Sequence, residues 1–172
     1  MSEYKSFFKT VGGNEGTLCK YPTRLDTYEK GSSAMSARGI RNNNPGNIRL
    51  GCEWKGLRAE QTDPAFCQFE TMAMGCRALL KTLRTYVEKY DLRTVRRIIL
   101  RWAPSIENDS ESYIRHVATA IRHDADELLN FHDDQLLFLD IARAIARHEC
   151  GSEAESAITS DDWEVAWKEA GL

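Results

Sequence analysis

The chain has 172 residues, 42% of them hydrophobic, with a formal net charge of −3 and a pI near 5.8. That length supports one domain with its own core plus extensions, and no run of about 18 apolar residues is present that would span a bilayer. Five cysteines, an odd number without a Cys-x-x-Cys pair, argue against a disulfide framework or a zinc site, so free thiols are expected, with Cys52 and Cys67 across a hairpin as the one alternative pairing.

Residues 1–37 carry Gly12-Gly13-Asn14-Glu15-Gly16 and Gly31-Ser32-Ser33 with little periodicity, which predicts an extended arm. Pro22-Thr23 as a start signal and Gly31 as a stop place one short helix in it, with Glu29 in the last turn. The N-terminus lacks the basic-then-apolar pattern of a secretory signal, so synthesis in a cytoplasm is expected. A domain over residues 38–172 follows. It opens on Gly39-Ile40-Arg41-Asn42-Asn43-Asn44-Pro45-Gly46-Asn47-Ile48-Arg49, a stretch too polar for core. Asn side chains bond their own backbone in tight turns and otherwise offer amide edges suited to sugars, so it reads as a specified turn, a site, or both.

Short strand-like pieces at Asn47 to Leu50 and Ala65 to Phe69, joined by a loop holding Trp54, Gly56, Glu60 and Asp63, predict a small β-hairpin. From Thr71 the period becomes helical through Met72, Cys76, Leu79, Leu80, Leu83, Val87 and Tyr90. A second helix runs from about Thr94 to Trp102, stopped by Pro104, with Arg93, Arg96, Arg97 and Arg101 on its solvent side. Asn108-Asp109-Ser110 caps a third with stripe Tyr113, Ile114, Val117 and Ile121. Asp133 or Asp134 caps a fourth that ends at Gly151, and Ser160-Asp161-Asp162 begins a fifth using Trp163, Ala166, Trp167 and Ala170. The class is α+β, predominantly α-helical.

Charge is unevenly distributed. Residues 38–101 hold 13 basic and six acidic side chains, whereas residues 102–172 hold five and 16. The asymmetry fits a basic face for an anionic polymer, nucleic acid or carboxylate-bearing peptidoglycan, or two halves that neutralise each other on folding.

No phosphate-binding glycine loop, Ser-centred nucleophile elbow or metal-binding helix signature is present, so carboxylate chemistry is left. The histidines fit surface or capping roles, and neither metal nor cofactor is implied. A glycosidase needs a carboxylic acid beside the scissile oxygen. Glu29 and Glu60 are the candidate acids by location: Glu29 leads into the Asn-rich loop, and Glu60 shares a loop with Trp54, a stacking platform for a sugar ring. Asn108 and Asp109 suit a helix cap, so Glu107 and Asp109 read as structural. Asn42, Asn43, Asn44, Asn47, Trp54 and Tyr113 are the candidate substrate contacts, and Trp102, Trp163 and Trp167 are expected in the core.

The blocks Arg41-Asn42-Asn43-Asn44-Pro45-Gly46-Asn47-Ile48-Arg49, Trp54-Lys55-Gly56, Phe66-Cys67-Gln68-Phe69, Gly75-Cys76-Arg77-Ala78-Leu79 and Arg101-Trp102-Ala103-Pro104, with Glu107-Asn108-Asp109 and Tyr113-Ile114 after them, resemble a family of bacteriophage and prophage proteins. Its members are labelled virion structural proteins or lysozyme-like wall hydrolases. The resemblance covers about residues 38–150. The front portion is also similar to bacterial glucosaminidases of the lysozyme-like superfamily, in which a catalytic Glu precedes Asn-Asn-Leu-Phe-Gly-Ile-Lys. Here Glu29 precedes Asn42-Asn43 at a comparable distance, and Gly46-Asn47-Ile48-Arg49 inserts one Asn into that pattern. The resemblance implies a lysozyme-like fold, a glycan substrate, and Glu29 as the acid.

The leading expectation is therefore a phage peptidoglycan hydrolase, a muramidase, glucosaminidase or lytic transglycosylase, acting at the cell wall or periplasm or carried in the virion. The alternative is a non-enzymatic virion or tail component whose arm docks on a neighbouring subunit. A nucleic-acid binder using the arginine row is the third, disfavoured by the acidic C-terminal part.

Overall fold

Helix α2 (Met72–Tyr90) is the spine of the molecule, with two other long helices packed directly against it and the remaining two built out from these. In the computed structural model the described residues are 36–103 and 109–172. Glu29, the helix expected in the arm, and Glu107 lie outside them. Thr71 caps α2 by accepting from the Met74 N–H, and Asp91 ends it in a left-handed conformation (φ 50°). The stripe Cys76, Leu79, Leu80, Leu83, Tyr86 and Val87 is buried, each large aliphatic side chain contributing about 1.5–3 kcal/mol of transfer free energy.

Helix α7 (Ser160–Ala170) packs along α2 through Trp163, Ala166 and Ala170, started by a reciprocal capping box between Thr159 and Asp162. Helix α5 (Leu136–Cys150) packs on α2 from another side and carries α4 (Ser110–Ile121), which in turn covers α3 (Val95–Trp102). Helix α3 turns Val95, Ile98, Ile99 and Trp102 inward. Asp109 caps α4 through the Ser112 N–H, as the sequence predicts. The cap of α5 sits one residue later than expected, at Gln135, with Asp134 Oδ1 accepting from Leu136 N at 3.1 Å. Two short helices, α1 (Arg38–Arg41) and α6 (Glu153–Ala157), were not predicted, because four or five residues are too few to show a period. Trp102 and Trp163 are core; Trp167 is half-buried at its edge.

The molecule is predominantly helical among the described residues, with no continuous strand. The expected hairpin segments meet at one isolated antiparallel bridge, Arg49 with Phe66, flanked by the bonds Leu50 N–H to Ala65 O and Cys67 N–H to Ile48 O, and a second isolated bridge joins Leu57 of the intervening loop to Phe69. Side-chain amides from the Asn-rich loop occupy several of the backbone acceptors that a regular ladder would use. Cys67 is a free thiol, as are Cys76 and Cys150, so the Cys52 to Cys67 pairing does not form. Cys52 is disulfide-bonded, which corrects the expectation of five free thiols: an odd total does not prevent one pair. No helix is long and apolar enough to cross a membrane among the described residues.

The arginine row is partly neutralised. Arg96 pairs with Glu111 and Asp126, Arg93 pairs with Asp91, and Arg101 lies over the Tyr90 ring at 3.9 Å. Lys55 pairs with Glu169 across the chain, so the basic middle and acidic tail compensate each other at these contacts.

Candidate functional site

The Asn-rich stretch is a knot tied into the centre of the fold. After α1, Asn44 N–H donates to Gly39 O at 2.7 Å, and Asn43 (φ 51°) and Asn47 (φ 45°) take left-handed conformations that asparagine tolerates better than most residues. Asn44 is fully buried. Its Oδ1 accepts from the Ile48 N–H, and its Nδ2 donates to the carbonyls of Ile48 and Cys67, each at 2.9 Å. Asn43 Nδ2 donates to the carbonyls of Phe69 and Glu70.

Asn42, 4% exposed, donates to Asp63 Oδ2 at 2.7 Å and accepts from Gln68 Nε2. Asp63 also binds Arg38 at 2.7 and 2.8 Å and accepts from the Ala65 and Phe66 N–H groups. Burial pushes the Asp63 carboxyl upward, but the Arg38 guanidinium, these two N–H groups and the Asn42 amide outweigh it and hold the carboxyl well below the usual carboxylate range.

The knot seats against α2 at Gly75, where a Cβ would stand 1.8 Å from Asn43 O, and against Trp102 at Gly46, where it would stand 2.9 Å from the indole. Only a missing side chain permits either approach. The three amides of Asn42, Asn43 and Asn44 therefore face inward, onto the protein's own polar groups.

Asn47 differs. Its Nδ2 reaches Glu149 Oε2 on α5 at 2.9 Å, and Tyr113 Oη on α4 donates to the other oxygen, Oε1, at 2.8 Å. Helices α4 and α5, packed together, thus meet the end of the Asn-rich loop at one half-buried carboxylate. His148 stacks on the Tyr113 ring (3.6 Å between centroids, 11° between planes), and His116 abuts His148 edge-on at 5.1 Å. Burial pushes the Tyr113 phenol well above its usual range, with the Glu149 charge adding to the effect, so the phenol is a neutral donor. Burial also pulls His148 below its ordinary value, against the pull of Glu149 and with help from His116. The adjoining Cys150 thiol is pushed up to about 12 by burial, with the Glu149 and Glu153 charges adding to it, and is inert.

The structure therefore brings Asn47 and Tyr113 together, with Tyr113 acting through its hydroxyl because its ring is buried. Glu60 is exposed on its loop, and Trp54 is half-buried against the core; neither bonds to the Glu149 cluster. Glu149 was missed by reading the sequence. A signal was available: it occupies the last turn of α5, where the helix dipole favours cations, so its placement has no local helical rationale. Among the described residues no Lys or Arg pairs with Glu149; both its direct partners are neutral. A half-buried carboxyl between two neutral donors is held in one orientation.

No protein-family model matches the chain. It is similar to a phage protein. Over 105 residues it is 44% identical to Protein P5 of Pseudoalteromonas phage PM2, an alignment that covers 59% of this chain and 61% of that protein.

Proposed function

We propose that the chain is a phage-encoded peptidoglycan hydrolase of lysozyme-like architecture that cleaves the glycan strand of the bacterial wall. The observation that carries this reading is the convergence of Asn47, Tyr113 and Glu149: a half-buried carboxyl, oriented on both oxygens by neutral donors, at the end of the Asn-rich loop. Similarity to a phage protein fits a gene whose product meets the host envelope, at the wall or from within a particle. The test is incubation of purified peptidoglycan from the host with the full chain and mass spectrometry of the soluble muropeptides. Release of glycan fragments supports the reading; intact sacculi overturn it.

One observation favours the second reading, a virion component without activity. The amides of Asn42, Asn43 and Asn44 are engaged internally and do not present free edges to a sugar. Cosedimentation of the chain with virions, without muropeptide release, is the outcome expected of that reading.

A further inference from the structure

We infer that Glu149 is the general acid of this cleavage, with Tyr113 and Asn47 as its positioning residues; the assignment rests on the glycosidase reading above. A general acid for glycosidic oxygen must keep a proton while open to substrate, and must be aimed. Glu149 meets the geometric part of this. It is half-buried, and each oxygen is fixed by a separate donor from a different element, Tyr113 Oη at 2.8 Å and Asn47 Nδ2 at 2.9 Å. Both donors are themselves locked. Tyr113 is 1% exposed and stacked on one face by His148, while Asn47 hangs from a loop whose preceding amide, Asn44, is buried and bonded three times.

The neighbouring carboxylates have structural partners instead. Glu153 receives the Ala37 N–H at 2.7 Å and the Ser36 hydroxyl at the start of α1, and Asp63 is bound by Arg38. Glu60 is exposed on its loop without an orienting contact to a described side chain. Glu149 is thus held on both oxygens by neutral donors, as Glu153 is at the start of α1, but its donors are the side chains of Asn47 and Tyr113, from the Asn-rich loop and α4.

In the step this implies, the bond from the anomeric carbon to the bridging oxygen breaks as Glu149 gives that oxygen its proton. Water supplies the hydroxyl to the anomeric carbon, and the proton lost by that water restores the acid. No redox partner or metal is required.

The experiment compares muropeptide release from host peptidoglycan by wild type, Glu149→Gln, Glu60→Gln, Glu29→Gln and Tyr113→Phe between pH 4 and pH 9, with circular dichroism confirming the fold of each. Loss of a general acid costs about 10²–10⁴-fold. The expected result is such a loss in Glu149→Gln together with disappearance of the alkaline limb of its pH profile, whereas Glu60→Gln and Glu29→Gln stay within a few-fold of wild type. A variant that is merely destabilised scales the whole profile and keeps the limb. Should Glu149→Gln not fold, Tyr113→Phe decides: removing an O–H donor to the carboxylate moves the alkaline limb to higher pH, and an unmoved limb overturns the assignment. Full activity in folded Glu149→Gln, with loss in Glu60→Gln or Glu29→Gln, also overturns it and leaves the glycosidase reading standing. Absence of release by wild type refutes that reading itself, and the assignment with it.

Discussion

Replacing Asn44 by alanine removes three hydrogen bonds at a fully buried position. Their loss is unequal. Ile48 O keeps the Cys67 N–H, which donates to it at 2.8 Å, so that carbonyl stays satisfied. The Ile48 N–H and the Cys67 carbonyl lose the Asn44 amide, and a buried group left unsatisfied costs about 1–3 kcal/mol. Adding the small void where the amide stood, the expected destabilisation is about 3–5 kcal/mol, a large part of the roughly 5–15 kcal/mol that holds a domain folded. Urea denaturation followed by circular dichroism measures it directly, with a fall in melting temperature on the order of 10 °C as a second reading.

Asn44→Asp sharpens the test. It keeps an acceptor for the Ile48 N–H but aims a carboxylate oxygen at two carbonyls that the amide had served as donor. Its carboxyl is thereby raised above the unfolded value, so the penalty is full at neutral pH and fades as pH falls toward about 4. A loss below about 1 kcal/mol in Asn44→Ala would refute the view that this side chain ties the knot.

Three further outcomes follow from the same geometry. Gly75→Ala places a methyl 1.8 Å from Asn43 O, and neither α2 nor the knot can yield without moving backbone, so a loss of about 3 kcal/mol or more, or no soluble protein, is expected in expression and melting trials. Asp63, held below its unfolded value of about 3.8, contributes stability that is fully present above that pH and is lost as the pH falls through the folded value; thermal melts from pH 7 to pH 2 should decline less steeply below pH 4 in Asp63→Asn than in wild type, from a lower plateau. Cys67 and Cys150, each pushed up to about 12 first by burial, should resist iodoacetamide at pH 8 in the native protein and react once it is unfolded in urea, as peptide mass spectrometry would show; rapid native alkylation would contradict their buried placement.

Helix α2 was legible from its period alone, because Met72 to Tyr90 is long enough for an apolar stripe to repeat over five turns and Thr71 supplies a cap. The starts of α4 and α7 were legible for a similar reason: a cap is a short-range bond between a side chain and an N–H two or three residues on. The hairpin was less so: its segments do pair at Ile48 with Cys67 and Leu50 with Ala65, but side-chain amides of the Asn-rich loop take the Cys67 and Phe69 carbonyls, so the ladder does not continue. The candidate site was the least legible. Asn47, Tyr113 and Glu149 come from three separated stretches, and nothing local in any of them specifies the other two.

The sequence by itself determined the helical class, the helix boundaries with strong caps, and the fact that residues 39–49 had to be either a specified turn or a site. Those properties depend on periodicity and on bonds between near neighbours, which a linear reading contains. Only the tertiary structure decided which asparagines face inward, that Glu149 rather than Glu60 meets the loop, and that Arg96 of the arginine row is paired with acids from the other half. Each of these depends on contacts between residues distant in the chain, and such contacts exist only after α2, α4 and α5 have packed.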